Sequence, residues 1–419
     1  MEKKKILVIA DHPMSFSGVG NQTRYIIDAL VKTGKYKFVC LGGAIKHQDY
    51  RPVKVDEWGD DVIIFPVDGY GNPDTIRSIL RTERPDLLWF MTDPRFWDWL
   101  WQMEDEIRPL MPMVYYHVWD NYPYPKYNKT DYSSNDFIAA ISKVTHDIVK
   151  NVAPKVKSQY LPHAVDTKMF KKMPAKEIQE QKKLHFGKAA ENKKIFFFNS
   201  RNARRKMTGS LIFWFKEFID EIGHDKAILL MHTDPKDQNG PDLEAIINDQ
   251  GLNKGQVLFS KEKLAPENMA AIYNMVDCTI TISDAEGFGL STLESLACGT
   301  PIIVTMTGGL QEQVTDGKEW FGVGIEPVSK AIIGSQMVPY IYEDRIRKKE
   351  FVSALKEIYF MPKGELNKMT KRGIKHVEKN YNFKNFNNAW IKLIEEVIQE
   401  NGSWETRKNY KSWNFKEIR

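Results

Sequence analysis

Short apolar runs separated by amphipathic segments recur along this chain, stop once, and then begin again. Runs at 6–10, 38–41, 62–66, 87–91, 114–117, 137–140 and 159–161 read as strands, and segments 24–31, 74–84 and 143–152 have helical spacing. Strands apolar on both faces need a layer of helices on each side, so the pattern predicts β-α units around a parallel sheet. A lysine-rich stretch at 171–194 breaks the pattern and reads as a linker. Beyond it the alternation resumes, with strands at 195–199, 227–232, 257–259, 278–282 and 302–305 and helices at 209–222, 243–250, 266–275 and 290–297. The expected organisation is an α/β half over 1–172, a second over 173–381, and a terminal helix and tail over 382–419 that return to the first half. Ligands of open α/β sheets bind at the carboxyl ends of the strands, so each half is expected to offer those loops to a cleft between them.

A chain of 419 residues exceeds what one core usually supports, which agrees with two halves of about 200 residues each. Lys and Arg number 60 against 55 acids, a formal +5 that suits a phosphate-bearing substrate without demanding nucleic acid. Cys40, Cys278 and Cys298 are widely spaced in apolar contexts and read as small buried hydrophobes, not as disulfides or zinc ligands. The opening MEKKKILVIA is too short an apolar run for a signal peptide or a span, and no other run approaches the ~20 residues a span needs. The chain therefore reads as cytoplasmic, with room for peripheral membrane contact. In the tail, Phe383, Phe386, Trp390, Leu393 and Val397 form a helical stripe. Trp404, Tyr410, Trp413 and Phe415 follow at a density that implies docking on another surface.

The segment from Ser283 to Pro301 carries the most chemistry. Gly287 and Gly289 let backbone approach a ligand, and free amides near Leu290 to Thr292 at the start of the next helix form an anion site. Glu286 and Glu294 lie about two helical turns apart and can face one cavity. Carboxylates beside an anion site suit hydroxyls, whose protons they accept, so a diphosphate between two sugar-binding acids describes a nucleotide sugar. The plainer alternative is a helix-capping Glu294 with a chance acid in a turn.

This segment resembles the E-x7-E signature of the retaining, GT-B-fold glycosyltransferases of the family 4 (group 1) type, and the likeness continues through Pro301-Ile302-Ile303-Val304 and Gly308-Gly309-Leu310-Gln311-Glu312. The resemblance implies two Rossmann-like domains facing across a cleft. It implies that Glu286 holds the transferred sugar, Glu294 the ribose, and the backbone around Gly287, Phe288, Gly289 and Leu290 the sugar and diphosphate. In Phe198-Asn199-Ser200-Arg201-Asn202-Ala203-Arg204-Arg205-Lys206, Arg201 and Lys206 match the family's diphosphate-gripping pair, and Arg204 and Arg205 read as a solvated turn. Two fixed cations would stabilise charge on a leaving diphosphate. Ser17-Gly18-Val19-Gly20 resembles, with one glycine replaced by Ser17, the family's glycine loop, which gives Gly18 and Gly20 a donor-binding role. His117, before Trp119-Asp120, matches a histidine placed near the reacting sugar. Residues 140–143 and 161–167 resemble two more family segments, although His163-Ala164 stands where Asn-Gly is usual.

The implied reaction is sugar transfer from a nucleotide-diphosphate sugar to an acceptor hydroxyl, with retention and with neither metal nor cofactor. No D-x-D stands at a strand end, and Asp93-Pro94 and Asp234-Pro235 read as turns. Acceptor contacts are expected from the first half. The tyrosine loop 122–127 is too polar for core, whereas the aromatic run 96–101 reads chiefly as a buried helix face. The acceptor could be a glycan, a lipid-linked glycan or modified nucleic acid, the last making the chain a DNA-modifying glycosyltransferase acting on hydroxylated bases. A nucleotide-sugar epimerase on the same scaffold is the more distant alternative.

Overall fold

The computed structural model describes residues 2–190 and 192–411. By contact the chain divides into two units. One comprises the residues through His163 with 334–339 and the stretch from Lys384, and the other comprises Ala164–Ile333 with Tyr340–Phe383.

The first unit is built on β1 (Lys4–Asp11), β2 (Tyr36–Gly43), β3 (Val62–Pro66), β4 (Leu87–Thr92), β5 (Met113–His117), β6 (Phe137–Ala140) and β7 (Lys157–Tyr160). They form one parallel sheet in the order β3-β2-β1-β4-β5-β6-β7. All six residues of β4 and all five of β5 are buried, as a sheet covered on both faces requires. Helix starts follow side-chain capping: Ser17, Asn72 and Ser142 each accept an amide from the first turn of the helix they precede.

The helix Phe383–Asn401 places Trp390, fully buried, edge-on to Trp89 at 5.9 Å and to Tyr116 at 4.8 Å. After it, the Trp404 indole donates to Pro85 O (2.9 Å) under the Arg84 guanidinium, and Tyr410 donates to Asp105 (2.7 Å). Trp413 and Phe415 lie outside the described residues.

The second unit carries β8 (Lys194–Asn199), β9 (Ala227–His232), β10 (Val257–Ser260), β11 (Cys278–Thr281), β12 (Ile302–Thr305) and β13 (Gly322–Ile325), parallel in the order β10-β9-β8-β11-β12-β13. Its core joins Phe196, Phe198, Phe215, Phe218 and Leu229 across the sheet and the helix Thr208–Ile222. An antiparallel hairpin, β14 (Ser329–Ile333) and β15 (Ile341–Arg345), stands apart from this sheet. The lysine-rich stretch read as a linker is mostly the helix Ala175–Phe186, and it belongs to this unit. Straight-chain Lys, Glu and Gln favour a helix even where no residue of it is buried. All three cysteines are free and buried, as expected. Among the described residues no helix is long and apolar enough to cross a membrane.

Candidate active site

The order of the second sheet reverses between β8 and β11, and such a switch point is where open α/β sheets bind ligands beyond their carboxyl ends. The two loops leaving those strands are tied to each other. Asp284 N donates to Arg205 O (2.8 Å), and the Arg205 guanidinium donates to Ala285 O (2.6 Å). The turn Arg204–Lys206 ends at Met207 with φ of 57°, and Lys206 is the buried residue of the turn. Lys206 Nζ donates to Glu286 Oε2, with Ser283 Oγ at 3.4 Å and Arg205 at 3.5 Å from the same oxygen. Their side chains are 10% and 12% exposed, so the pair is largely sheltered from solvent screening. Burial pushes the Glu286 carboxyl up, but Lys206 first and Arg205 next outweigh it and hold the group below its ordinary range. Glu286 is therefore an ionised acceptor for hydroxyls.

The backbone beside Glu286 is locked from behind. Gly289, at φ of 91°, opens the helix Leu290–Ala297, and a Cβ there would lie 2.5 Å from Leu310. Gly309 N donates to Glu286 O (3.0 Å), and a Cβ on Gly309 would strike Gly287 O at 2.6 Å. Buried Gln313 donates to Phe288 O (2.7 Å) and holds Thr292 Oγ1 at 2.6 Å from its own carbonyl oxygen. Phe288 packs edge-on to Tyr381 at 5.9 Å. No side chain caps the helix Leu290–Ala297, so its first amides and its dipole remain open to an anion. Gln313 carries no motif of its own, and sequence reasoning passed over it.

Glu294, about one turn into that helix, accepts from Tyr273 OH (2.9 Å), which in turn accepts from Asn199 Nδ2 at the end of β8 (2.7 Å). Burial dominates here and raises the carboxyl from 4.5 to about 7. A raised carboxyl stabilises the fold most below its ordinary value, and that contribution is lost as pH rises to about 7. Glu294→Gln is therefore expected to gain stability over the parent between those limits. Melting temperatures of both proteins across this range check it, and parallel curves would refute it.

Two expected positions stand away from the Lys206–Glu286 pair in this structure. Arg201 does not join the pair. It is solvent-facing and donates from Nε and Nη2 to the two oxygens of Asp237 (2.5 and 3.1 Å) after β9, while Arg205, read as a solvated turn, reaches the Glu286 loop. His117 is fully buried in the first unit between Tyr115 OH (3.0 Å) and Tyr132 OH (2.7 Å), which occupy both ring nitrogens. Burial lowers it to about 3, which holds the ring neutral.

Other first-unit positions are local. Gly18 is exposed at the helix start. Gly20 donates to Ser17 Oγ (2.9 Å) under His12 and Ser15, where a Cβ would clash. Tyr122 and Tyr124 both donate to Asp147 (2.8 and 3.0 Å). In 96–101, Trp97, Leu100 and Trp101 are core, while Phe96 is exposed. Among the described residues no group of three or more His, Cys, Asp or Glu is placed to hold a metal ion.

Residues 180–352 match the family model described as glycosyl transferases group 1. Over 189 residues the chain is 26% identical to N-acetyl-alpha-D-glucosaminyl L-malate synthase of Bacillus anthracis, covering 44% of this chain and 45% of that protein. Over 76 residues it is 40% identical to a D-inositol 3-phosphate glycosyltransferase of Corynebacterium urealyticum, 18% of each. The chain thus spans less than half the length of these curated relatives. Sucrose-phosphate synthase of Thermosynechococcus elongatus superposes with a TM-score of 0.73 at 16% identity, over 95% of this chain and 100% of that one. A glycosyltransferase of Rickettsia africae does so at 0.69 and 15%, over 96% and 100%. These likenesses show the fold, which is GT-B.

Proposed function

We propose that this chain, which belongs to the glycosyl transferases group 1 through its residues 180–352, moves a sugar from a nucleotide-diphosphate sugar to an acceptor hydroxyl. The observation that carries the reading is the ionised Glu286, held by Lys206 beside an uncapped helix start. In this reading the diphosphate lies against the amides of the helix Leu290–Ala297, with Arg205 and Lys206 beside it. The sugar hydroxyls donate to Glu286. Glu294 takes the ribose hydroxyls, and Tyr273 fixes its orientation. Arg201 joins the diphosphate by exchanging partners, because its pair with Asp237 is exposed on the arginine side and so weakly held.

In the transfer step the bond from the anomeric carbon to the diphosphate oxygen breaks, and the acceptor oxygen bonds to that carbon on the same face. The acceptor proton passes to the departing diphosphate oxygen, so configuration is retained and no side chain acts as general base. Lys206, Arg205 and the helix dipole stabilise the charge that accumulates on the diphosphate. The reading requires no metal. No feature of the site favours hydroxylated DNA bases or epimerisation.

A panel of nucleotide sugars read by thermal shift and by release of nucleoside diphosphate tests the proposal. A donor at 100 times its Kd should add about 2.7 kcal/mol of apparent stability. Failure of every donor to shift the transition or to release diphosphate would end the reading.

A further inference from the structure

The two loops that carry Lys206 and Glu286 share a third support that lies in neither of their strands. Glu343 and Arg345 sit two residues apart on β15, and so on one face of it. The Glu343 carboxylate, 2% exposed, accepts from both terminal nitrogens of Arg204, with Nη1 at 2.8 Å from Oε2, and also a bond from Arg345 (2.6 Å). Arg345 Nη1 lies 2.6 Å from the Asp284 carboxylate, and Asp344 N between them donates to Asp284 O (2.7 Å). Arg204 stands two residues before Lys206, and Asp284 two residues before Glu286. Each functional loop therefore has one handle, and both handles are held on the same short strand.

We propose that Glu343 and Arg345 are positioning residues that set the approach of Lys206 to Glu286 through Arg204 and Asp284. A buried carboxylate that takes two bonds from Arg204 and one from Arg345 fixes direction as well as distance, since the Arg204 fork accepts only a narrow geometry. Arg204, taken up by Glu343, is a strut and not a ligand for the donor. The consequence for catalysis rests on the donor-site reading above. The mechanical claim does not.

The test uses the full chain with Glu343→Gln, Arg345→Met and Arg345→Lys, and with Lys348→Ala, whose partner Glu217 lies at the surface, as control. Hydrogen exchange should accelerate by about tenfold or more in 203–207 and 283–289 in the first two variants while other segments keep their protection. Donor turnover should fall about 10- to 100-fold, as an ångström-scale misplacement produces. Arg345→Lys, which keeps the charge, should recover part of both effects. Unchanged exchange in those two segments, or exchange that rises equally everywhere with the melting point, would overturn the proposal. Local loosening in a parent that binds no nucleotide sugar would confirm the strut and reject the donor reading.

Discussion

Glu286→Gln is expected to lower turnover on saturating nucleotide sugar by at least about 100-fold, the scale seen when one charged or hydrogen-bonding group is lost from a reacting centre. The substitution keeps the side chain's size and removes what the site is built around, a sheltered carboxylate ionised by Lys206 and Arg205. An amide offers one acceptor oxygen in place of two and turns a pair of donors toward Lys206. The loss should fall mainly on kcat, because the proposed diphosphate contacts at the helix start do not involve Glu286. Steady-state kinetics with the donor varied separate the two effects, and a parent-like kcat would remove Glu286 from the reaction.

Lys206→Met should be the costlier change for the fold. It leaves a buried carboxylate with only the long contacts from Ser283 (3.4 Å) and Arg205 (3.5 Å), and removing one member of a buried pair costs about 3–5 kcal/mol. The pH dependence should also change sign. In the parent, Glu286 is held low, so its contribution is complete at neutral pH and is lost only as pH falls through that lowered value. In the variant, burial acts against a weaker opponent and raises the group, so stability should decline as pH rises through the new value. Adding Glu286→Gln to Lys206→Met should restore most of the stability and none of the activity. Chemical denaturation at several pH values measures both effects, and a variant whose stability tracks the parent across pH would contradict the coupling.

The sheet architecture could be read from the chain because β4, β5 and β8 are short and apolar on both faces, which only a covered parallel sheet tolerates. The fold around 320–345 could not. β13 contains two glycines, and β14 and β15 mix charge with apolar residues on half-exposed faces, so no clean period marks them. In the site, the motif resemblance singled out Glu286 and Lys206, which the structure brings together. That Arg205 would lie beside them was not legible, because it is held there by Asp284 and Ala285, some 80 residues away in sequence. His117 could not be judged from its neighbours in sequence. Tyr115 shares its strand face, but Tyr132 arrives from fifteen residues away on another element. Gln313, Glu343 and Arg345 act at similar or greater separations and leave no local trace.

The burial of Trp390 against Trp89 and Tyr116 has a consequence for synthesis of the chain on the ribosome. The sheet of the first unit emerges early, but the indole that closes its surface comes some 300 residues after Trp89, with the whole second sheet made in between. At a translation speed of about 5–20 residues per second, those aromatic faces wait roughly 15–60 seconds before their cover is made. The unit begun first is thus completed last, and in that interval its uncovered aromatics are a natural place for a chaperone to act.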